Sequence, residues 1–396
     1  MTQAHRTNLG RRELLKRSLA AAGIWFADFP EAAWPASIRN IEPFPNGKKL
    51  GTLSFSDEAQ FQTGQLFGAE LDARLFTDLS GLNPEQSHET TPTDAFYIRT
   101  GASQLLDTRT PWTVRVSGLV QQSFNLSVKE LQKSAQPMGP HLLECAGNAR
   151  RVHFGMMSVA DWHGVPLTEL LASAKVKLES TRVLISGFDR YLTPSVTSQP
   201  GASWIFAPEE LKSTQAFLAT KMNGQPLPRD HGAPVRLVVP GWYGCSCIKW
   251  VNEIALMDDS AAATSQMKEY ASRTAQDGVP QLAKDFRPAV MEQAAMPIRV
   301  EKWTADGRIK YRIIGILWGG SCLVKGLGIR FNPDEEYVPV DSFRQTANDP
   351  WSFWEHLWTP KQPGKYLIWL RVMEPQVIAR RLEAGYYVRS VEITEI

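Results

Sequence analysis

Cysteine is scarce in this chain, with four in 396 residues at positions 145, 245, 247 and 322. So few thiols at such uneven spacing exclude a disulfide-stapled scaffold. Cys245-Ser-Cys247 is one residue too tight for a CxxC pair and no second pair exists, which argues against structural zinc. There is no CxxCH and no other haem-attachment segment. No run approaches the roughly 20 apolar residues that a membrane-spanning helix needs. An excess of one charge is also missing: 43 Lys and Arg face 41 Asp and Glu, for a net charge of +2. That balance gives no electrostatic reason to expect nucleic acid or an anionic membrane as partner. Internal repeats and low-complexity tracts are absent as well. What remains is ordinary globular composition, 43% hydrophobic and 21% charged, at a length that suggests two domains. Tryptophan is plentiful at 13, which fits aromatic packing between sheets.

The first residues read GRRELLKRSLAAAGIWFADF. Arg11-Arg12 followed by a short, weakly apolar stretch fits a twin-arginine export signal over residues 1–36 better than a membrane anchor. The competing reading is a basic amphipathic helix, and Asp28 interrupts the apolar run. An export signal of this type carries a folded protein and implies a periplasmic destination.

Residues 37–90 are polar and Gly/Pro-punctuated, and are expected to be an N-terminal extension. From there the chain mixes strands and helices. WTVRVSGLV (112–120) alternates as a strand does, and Ser127 with Glu130 has capping-box spacing before a helix. Pro166 opens a second helix with Leu167, Leu170 and Leu171 on one face. TRVLISGFD and APVRLVVPG suit buried strands. These features make residues 91–265 an α+β domain. The polar stretch Asp258–Asp285 reads as a linker. Beyond it, residues 285–396 hold only strand-like runs, whose spacing suggests an immunoglobulin-like β-sandwich.

The chemistry centres on HLLECAGNARRVHFG. Cys145 sits in a tight Gly147-Asn148 loop with Arg150 and Arg151 just after it, cations that favour the thiolate as nucleophile or metal ligand. His141, His153 and His163 are near in sequence, as a cysteine hydrolase would need. From the residues alone, a reactive, a metal-binding and a merely packed cysteine all stay open.

HLLECAGNARR, followed by DWHGVPLTELL, resembles the molybdenum-binding segment of the sulfite oxidase family. MNGQPLPRDHGAPVRLVVPGWYGCSCIKWV resembles the segment with which that family embraces its cofactor, and FYIRTG its first arginine-bearing strand. WSFWEHLWTP and RRLEAGYYVRSVEI resemble its C-terminal dimerisation domain. The resemblance runs from about Thr91 to the C-terminus. It implies a molybdopterin cofactor, with Cys145 as the thiolate ligand of molybdenum. It also implies that Tyr97, Asp189, His231, Arg236, Cys247 and Lys249 hold the pterin, and that Arg99, Arg150 and Arg380 bind a small sulfur oxyanion. Arg381 is the alternative to Arg380. Arginine suits an oxyanion because it offers planar donors and keeps its charge.

The activity so implied is oxidation of sulfite to sulfate, with electrons passed to a separate acceptor such as a c-type cytochrome, in a homodimer without haem. This chain departs from the family in three places. Ile316 stands at the position assigned to the family's active-site tyrosine, Thr100-Gly101 replaces Asn-His, and Ala149 replaces one arginine of a pair. These departures leave open a sulfane or thiosulfate dehydrogenase and a sulfoxide-type reductase. A cofactor-less binding protein of the same fold, or a C-terminal interaction module, are the non-enzymatic alternatives.

Overall fold

The computed structural model describes residues 43–396 apart from 58, 86–89, 108, 189–201, 344 and 346–349. The expected export signal and Asp189 lie outside the described residues. Two sheets build the first half. One runs in the order Phe124–Ser127, Thr113–Gly118, Val251–Met257, Arg182–Gly187, Ser203–Phe206. Within it, Thr113–Gly118 and Val251–Met257 pair in parallel. The other runs Arg236–Val238, Phe217–Met222, Met157–Pro166, Gln136–Glu144, antiparallel throughout. Gln136–Glu144 delivers the chain directly into Cys145.

Local sequence explains the elements around these sheets. Ser127 caps the helix Val128–Ser134 with the full reciprocal capping box, Glu130 reaching back to the Ser127 amide. Pro166 precedes the helix Leu167–Ser173 and fixes its entry angle. Arg182–Gly187 alternates between half-buried and buried positions, the period of a strand covered on one face.

The C-terminal part consists of two antiparallel sheets. One runs Lys48–Leu53, Ala294–Ala305, Arg308–Trp318, Trp351–Trp358, Ser342–Phe343, and the other Val338–Pro339, Leu327–Arg330, Gly364–Val372, Arg389–Ile393. Asp306 and Gly307 close the long hairpin with φ of 53° and 71°, the two left-handed positions of a tight turn matched to strand twist. Trp318, Trp351 and Trp354 are fully buried here.

Two boundaries differ from the sequence reading. The described part of the expected extension is structural: Lys48–Leu53 is the edge strand of a C-terminal sheet. Asp57 pairs with Arg389, with side chains 3% and 5% exposed. The expected linker is likewise structured. Thr264 caps a short helix, Ser265–Glu269, and Gln266 donates to the Cys245 carbonyl. Its polar residues satisfy backbone groups of the first domain, which is why polarity misreads it as solvent-facing.

Candidate functional site

Cys145 begins the loop after Gln136–Glu144, is buried, and makes no disulfide. Its amide donates to Met156 O at 2.9 Å and its carbonyl accepts from Asn148 N at 2.8 Å, while Gly147 N points at Sγ from 3.4 Å. The sulfur opens onto a cleft of about 130 Å³. Tyr97, Arg99, His231, Arg236, Cys247 and Lys249 line the same cleft, joined by Thr100, Asp230, Gln266 and Tyr270. Residues far apart in sequence therefore converge on one sulfur.

The basic side of the cleft is held by backbone carbonyls. Arg236 Nη1 donates to His231 O at 3.1 Å and Nη2 to Cys247 O at 3.5 Å, while its buried Nε has no partner among the described residues. Lys249 Nζ donates to Asp230 O at 2.9 Å and also to Thr100 O. Burial, then neighbouring Arg236, lowers Lys249 to about 7. His231 donates from Nε2 to Thr93 O at 3.1 Å. Burial, then Lys249 and Arg236, lowers it to about 4, so it is neutral at neutral pH. Three cationic or potentially cationic groups pressed together at a cost to their own charge is the arrangement an anion relieves.

Glycine makes the convergence possible at two points. Gly232 has φ of 108°, and a β-carbon there would meet Arg236 Cβ at 2.9 Å and Lys249 Cβ at 3.1 Å. At Gly101 a β-carbon would collide with the Glu70 carbonyl oxygen. Glycine at position 101 is thus a packing requirement of this chain, and Ala102 N donates to Asp230 Oδ1 at 2.6 Å.

These features fit a molybdenum–pterin cofactor. The set offers the Cys145 sulfur to a metal and a buried cluster of donors, including the orphaned Arg236 Nε, for phosphate and pterin edges. Among the described residues no group of three or more His, Cys, Asp or Glu side chains could hold a metal ion.

The substrate side differs from the sequence reading. Arg99 lines the cleft. Arg150 is exposed, opens the turn Arg150–Val152, and lies outside the cleft lining. Arg380 is also exposed and is paired with Glu292 at 2.5 Å. Arg381 is the residue that reaches the Cys145 loop, donating from Nη2 to Ala146 O at 3.1 Å and to Arg273 O at 2.7 Å. The two arginines open the short helix Arg380–Glu383, and adjacent helical residues diverge by about 100°. One residue of register decides which of them faces the loop.

Ile316 is fully buried in Arg308–Trp318, and its carbonyl accepts from Trp354 Nε1. Two tyrosines share the cleft with Cys145: the expected Tyr97, and Tyr270 from the stretch read as a linker. Burial, then the Cys145 sulfur, raises the Tyr270 phenol well above the ordinary range. Sequence reasoning also missed Arg74, buried and donating to Leu71 O and Ala73 O at 2.7 and 2.9 Å. Burial, then Arg99, lowers it to about 10. A signal for Tyr270 existed in its place between Cys145 and the C-terminal strands, but nothing local marked it.

Comparison with known proteins agrees with this geometry. The family model for the oxidoreductase molybdopterin binding domain matches residues 101–265. Mitochondrial sulfite oxidase of Rattus norvegicus is 35% identical over 163 residues, 38% of this chain and 29% of its own length. That of Homo sapiens is 27% identical over 295 residues, covering 69% and 52%. The NADPH nitrate reductase of Beauveria bassiana is 34% identical over 161 residues, covering 37% and 18%. The chain spans about half the length of these relatives or less. Among solved structures, the sulfane dehydrogenase SoxCD from Paracoccus pantotrophus superposes with a TM-score of 0.61 at 19% identity, covering 86% of this chain and 91% of that one. The last likeness speaks for the fold.

Proposed function

The chain belongs to the sulfite oxidase family of molybdopterin-binding oxidoreductases, and from that premise we propose that it oxidises sulfite, or a closely related sulfur oxyanion, at the Cys145 cleft. One observation carries the reading: the buried sulfur of Cys145 shares a cleft with Arg99, His231, Arg236 and Lys249. When bound, the molybdenum cofactor supplies the oxo transfer and the two-electron change; the chain supplies position and charge. The net reaction takes sulfite and water to sulfate, two protons and two electrons.

In this reading Cys145 ligates the metal, and Arg236, Lys249 and His231 hold the phosphate and pterin end, with Tyr97 and the Cys247 backbone beside them. Arg99 holds the anion's oxygens, and Arg381 braces the Cys145 loop through the Ala146 carbonyl. Tyr270, kept protonated by burial, donates a hydrogen bond to one of those oxygens. Electrons leave to a separate one-electron acceptor, a c-type cytochrome in our reading. Export through a twin-arginine signal, a periplasmic site of action and a homodimer built on an immunoglobulin-like C-terminal domain complete the proposal. Among the described residues no helix is long and apolar enough to cross a membrane.

The test uses purified holoenzyme. Stoichiometric molybdenum together with sulfite-dependent reduction of a c-type cytochrome supports the reading. Molybdenum without sulfite turnover, but with nitrate reduction by a reduced viologen, would transfer the assignment to the nitrate-reducing relatives. Protein that neither retains molybdenum nor turns over either anion defeats it.

A further inference from the structure

A second, larger concavity adjoins the Cys145 cleft. It has a volume of about 600 Å³, against about 130 Å³ for the cleft. The two have no lining residue in common but meet at neighbours in sequence. Tyr243 lines the groove while its neighbour Gly244 lines the cleft, and Arg273 lines the groove three residues after cleft-lining Tyr270. The Arg381 guanidinium lies 5.0 Å from the Tyr243 ring centroid.

Arg273 sits at the junction. A β-carbon on Gly147 would lie 3.2 Å from Arg273 Nη1 and 3.9 Å from Cys145 Sγ, so guanidinium and sulfur flank the same point. Its guanidinium carbon is 5.3 Å from the Tyr270 ring centroid, and its carbonyl is held by Arg381. Arg273 makes no ion pair among the described residues. The other arginines of the groove are neutralised, Arg380 by Glu292 and Arg287 by Asp277. Beyond the cation the wall turns apolar at Val290, Met291, Val377 and Ile378. The groove therefore offers one anion-binding end, beside Cys145, and an apolar stretch at Val290, Met291, Val377 and Ile378, with the Glu383 carboxylate also on its lining.

Sulfite has four heavy atoms and leaves such a groove idle, whereas its volume is typical of sites for organic ligands. We propose that the substrate range extends to organosulfinates, with Arg273 and Arg99 holding the two sulfinate oxygens and the organic substituent lying in the groove. A sulfinate differs from sulfite by carbon in place of one oxygen and keeps the sulfur lone pair. The balanced step is RSO2⁻ + H2O → RSO3⁻ + 2 H⁺ + 2 e⁻. One S–O bond forms, sulfur is oxidised by two electrons that leave to a one-electron acceptor, and both protons go to water. The inference rests on the proposed function of the same cleft.

The experiment compares sulfite and benzenesulfinate as substrates of the holoenzyme, with ferricyanide as acceptor, in wild type, Arg273→Gln, Arg273→Lys and Val290→Trp. Wild type turns over both. Arg273→Gln raises the benzenesulfinate KM by roughly tenfold with kcat little changed, since it removes an interaction made equally in ground and transition states. Arg273→Lys recovers part of the loss. Val290→Trp fills the groove and lowers kcat/KM for benzenesulfinate at least roughly tenfold more than for sulfite. Sulfite turnover without benzenesulfinate turnover overturns the inference and leaves the proposed function standing, and so does an unchanged KM in Arg273→Gln. Turnover of neither substrate overturns both.

Discussion

Replacing Glu144 with glutamine changes one atom of a carboxylate that touches no substrate, yet it should loosen the loop that carries the thiol. Glu144 is 1% exposed. Its Oε2 accepts from Trp318 Nε1 at 2.9 Å and its Oε1 from Asn148 Nδ2 at 3.3 Å. One carboxylate thus joins a strand of the C-terminal sheets to the Cys145 loop. Asn148 cannot rotate to compensate, because its Oδ1 accepts from Met156 N at 3.0 Å. In Glu144→Gln the amide keeps its acceptor on Trp318 and turns a donor toward the Asn148 donor. Two buried donors left facing each other cost about 1–3 kcal/mol. Asn148→Asp sets two carboxylates against each other and should cost at least as much. The double variant restores donor to acceptor at both contacts, with the introduced glutamine amide donating to the introduced aspartate. Its loss of stability should be smaller than the sum of the single losses by about 1 kcal/mol or more. Urea denaturation followed by tryptophan fluorescence measures the cycle, and the absorption of the metal-bound thiolate in the loaded protein reports the pose of Cys145. Additive single losses, with unchanged absorption in both singles, would falsify the coupling.

Other perturbations act on separate parts of the molecule. Asp57→Ala leaves Arg389 buried without its carboxylate, in a pair whose side chains are 3% and 5% exposed, and should cost about 3–5 kcal/mol; a loss under about 1 kcal/mol by urea denaturation refutes the strap between Asp57 and the last strand. His231 is neutral in the folded protein down to about pH 4 against 6.5 for the free side chain. The unfolded chain binds the extra proton between those values, so apoprotein stability is full above pH 6.5 and falls as pH drops toward 4, by up to about 3 kcal/mol. His231→Gln should flatten that part of the stability–pH curve, and identical slopes in both proteins count against it. Cys145→Ser should keep the pterin, which the Arg236 and Lys249 side holds, while losing sulfite turnover; loss of pterin along with the metal places the holding groups elsewhere.

Elements with local signals were legible in the sequence. The capping box at Ser127 and the proline before Leu167 decide their helices within four residues, and both form as read. The cluster of Cys145, His231, Arg236 and Lys249 was legible through motifs, since each lies in a stretch specific enough to be matched whole. The stretch between Asp258 and Asp285 was not. Its polar residues bond inward, to Ser203 O and Cys245 O, and composition cannot distinguish polarity turned toward backbone partners from polarity turned toward water.

The arginines show the same boundary more sharply. Arg381 and Ala146 meet across 235 residues of sequence, and the contact depends on how two sheets seat against a loop. Arg380, one position earlier, has the same chemistry and the same local pattern, yet it ends at Glu292. Arg150 follows Cys145 by five residues and still is exposed and outside the cleft lining, at the start of the turn Arg150–Val152. Nearness in sequence to a ligand residue is therefore poor grounds for membership of its pocket. The cations around the Cys145 loop are Arg99 in the cleft, Arg273 beside Gly147, and Arg381 on the Ala146 carbonyl. A pocket assembled this way can change what it binds through residues distant in sequence from Cys145, and relatives named as sulfite oxidase and as nitrate reductase are both similar to this chain.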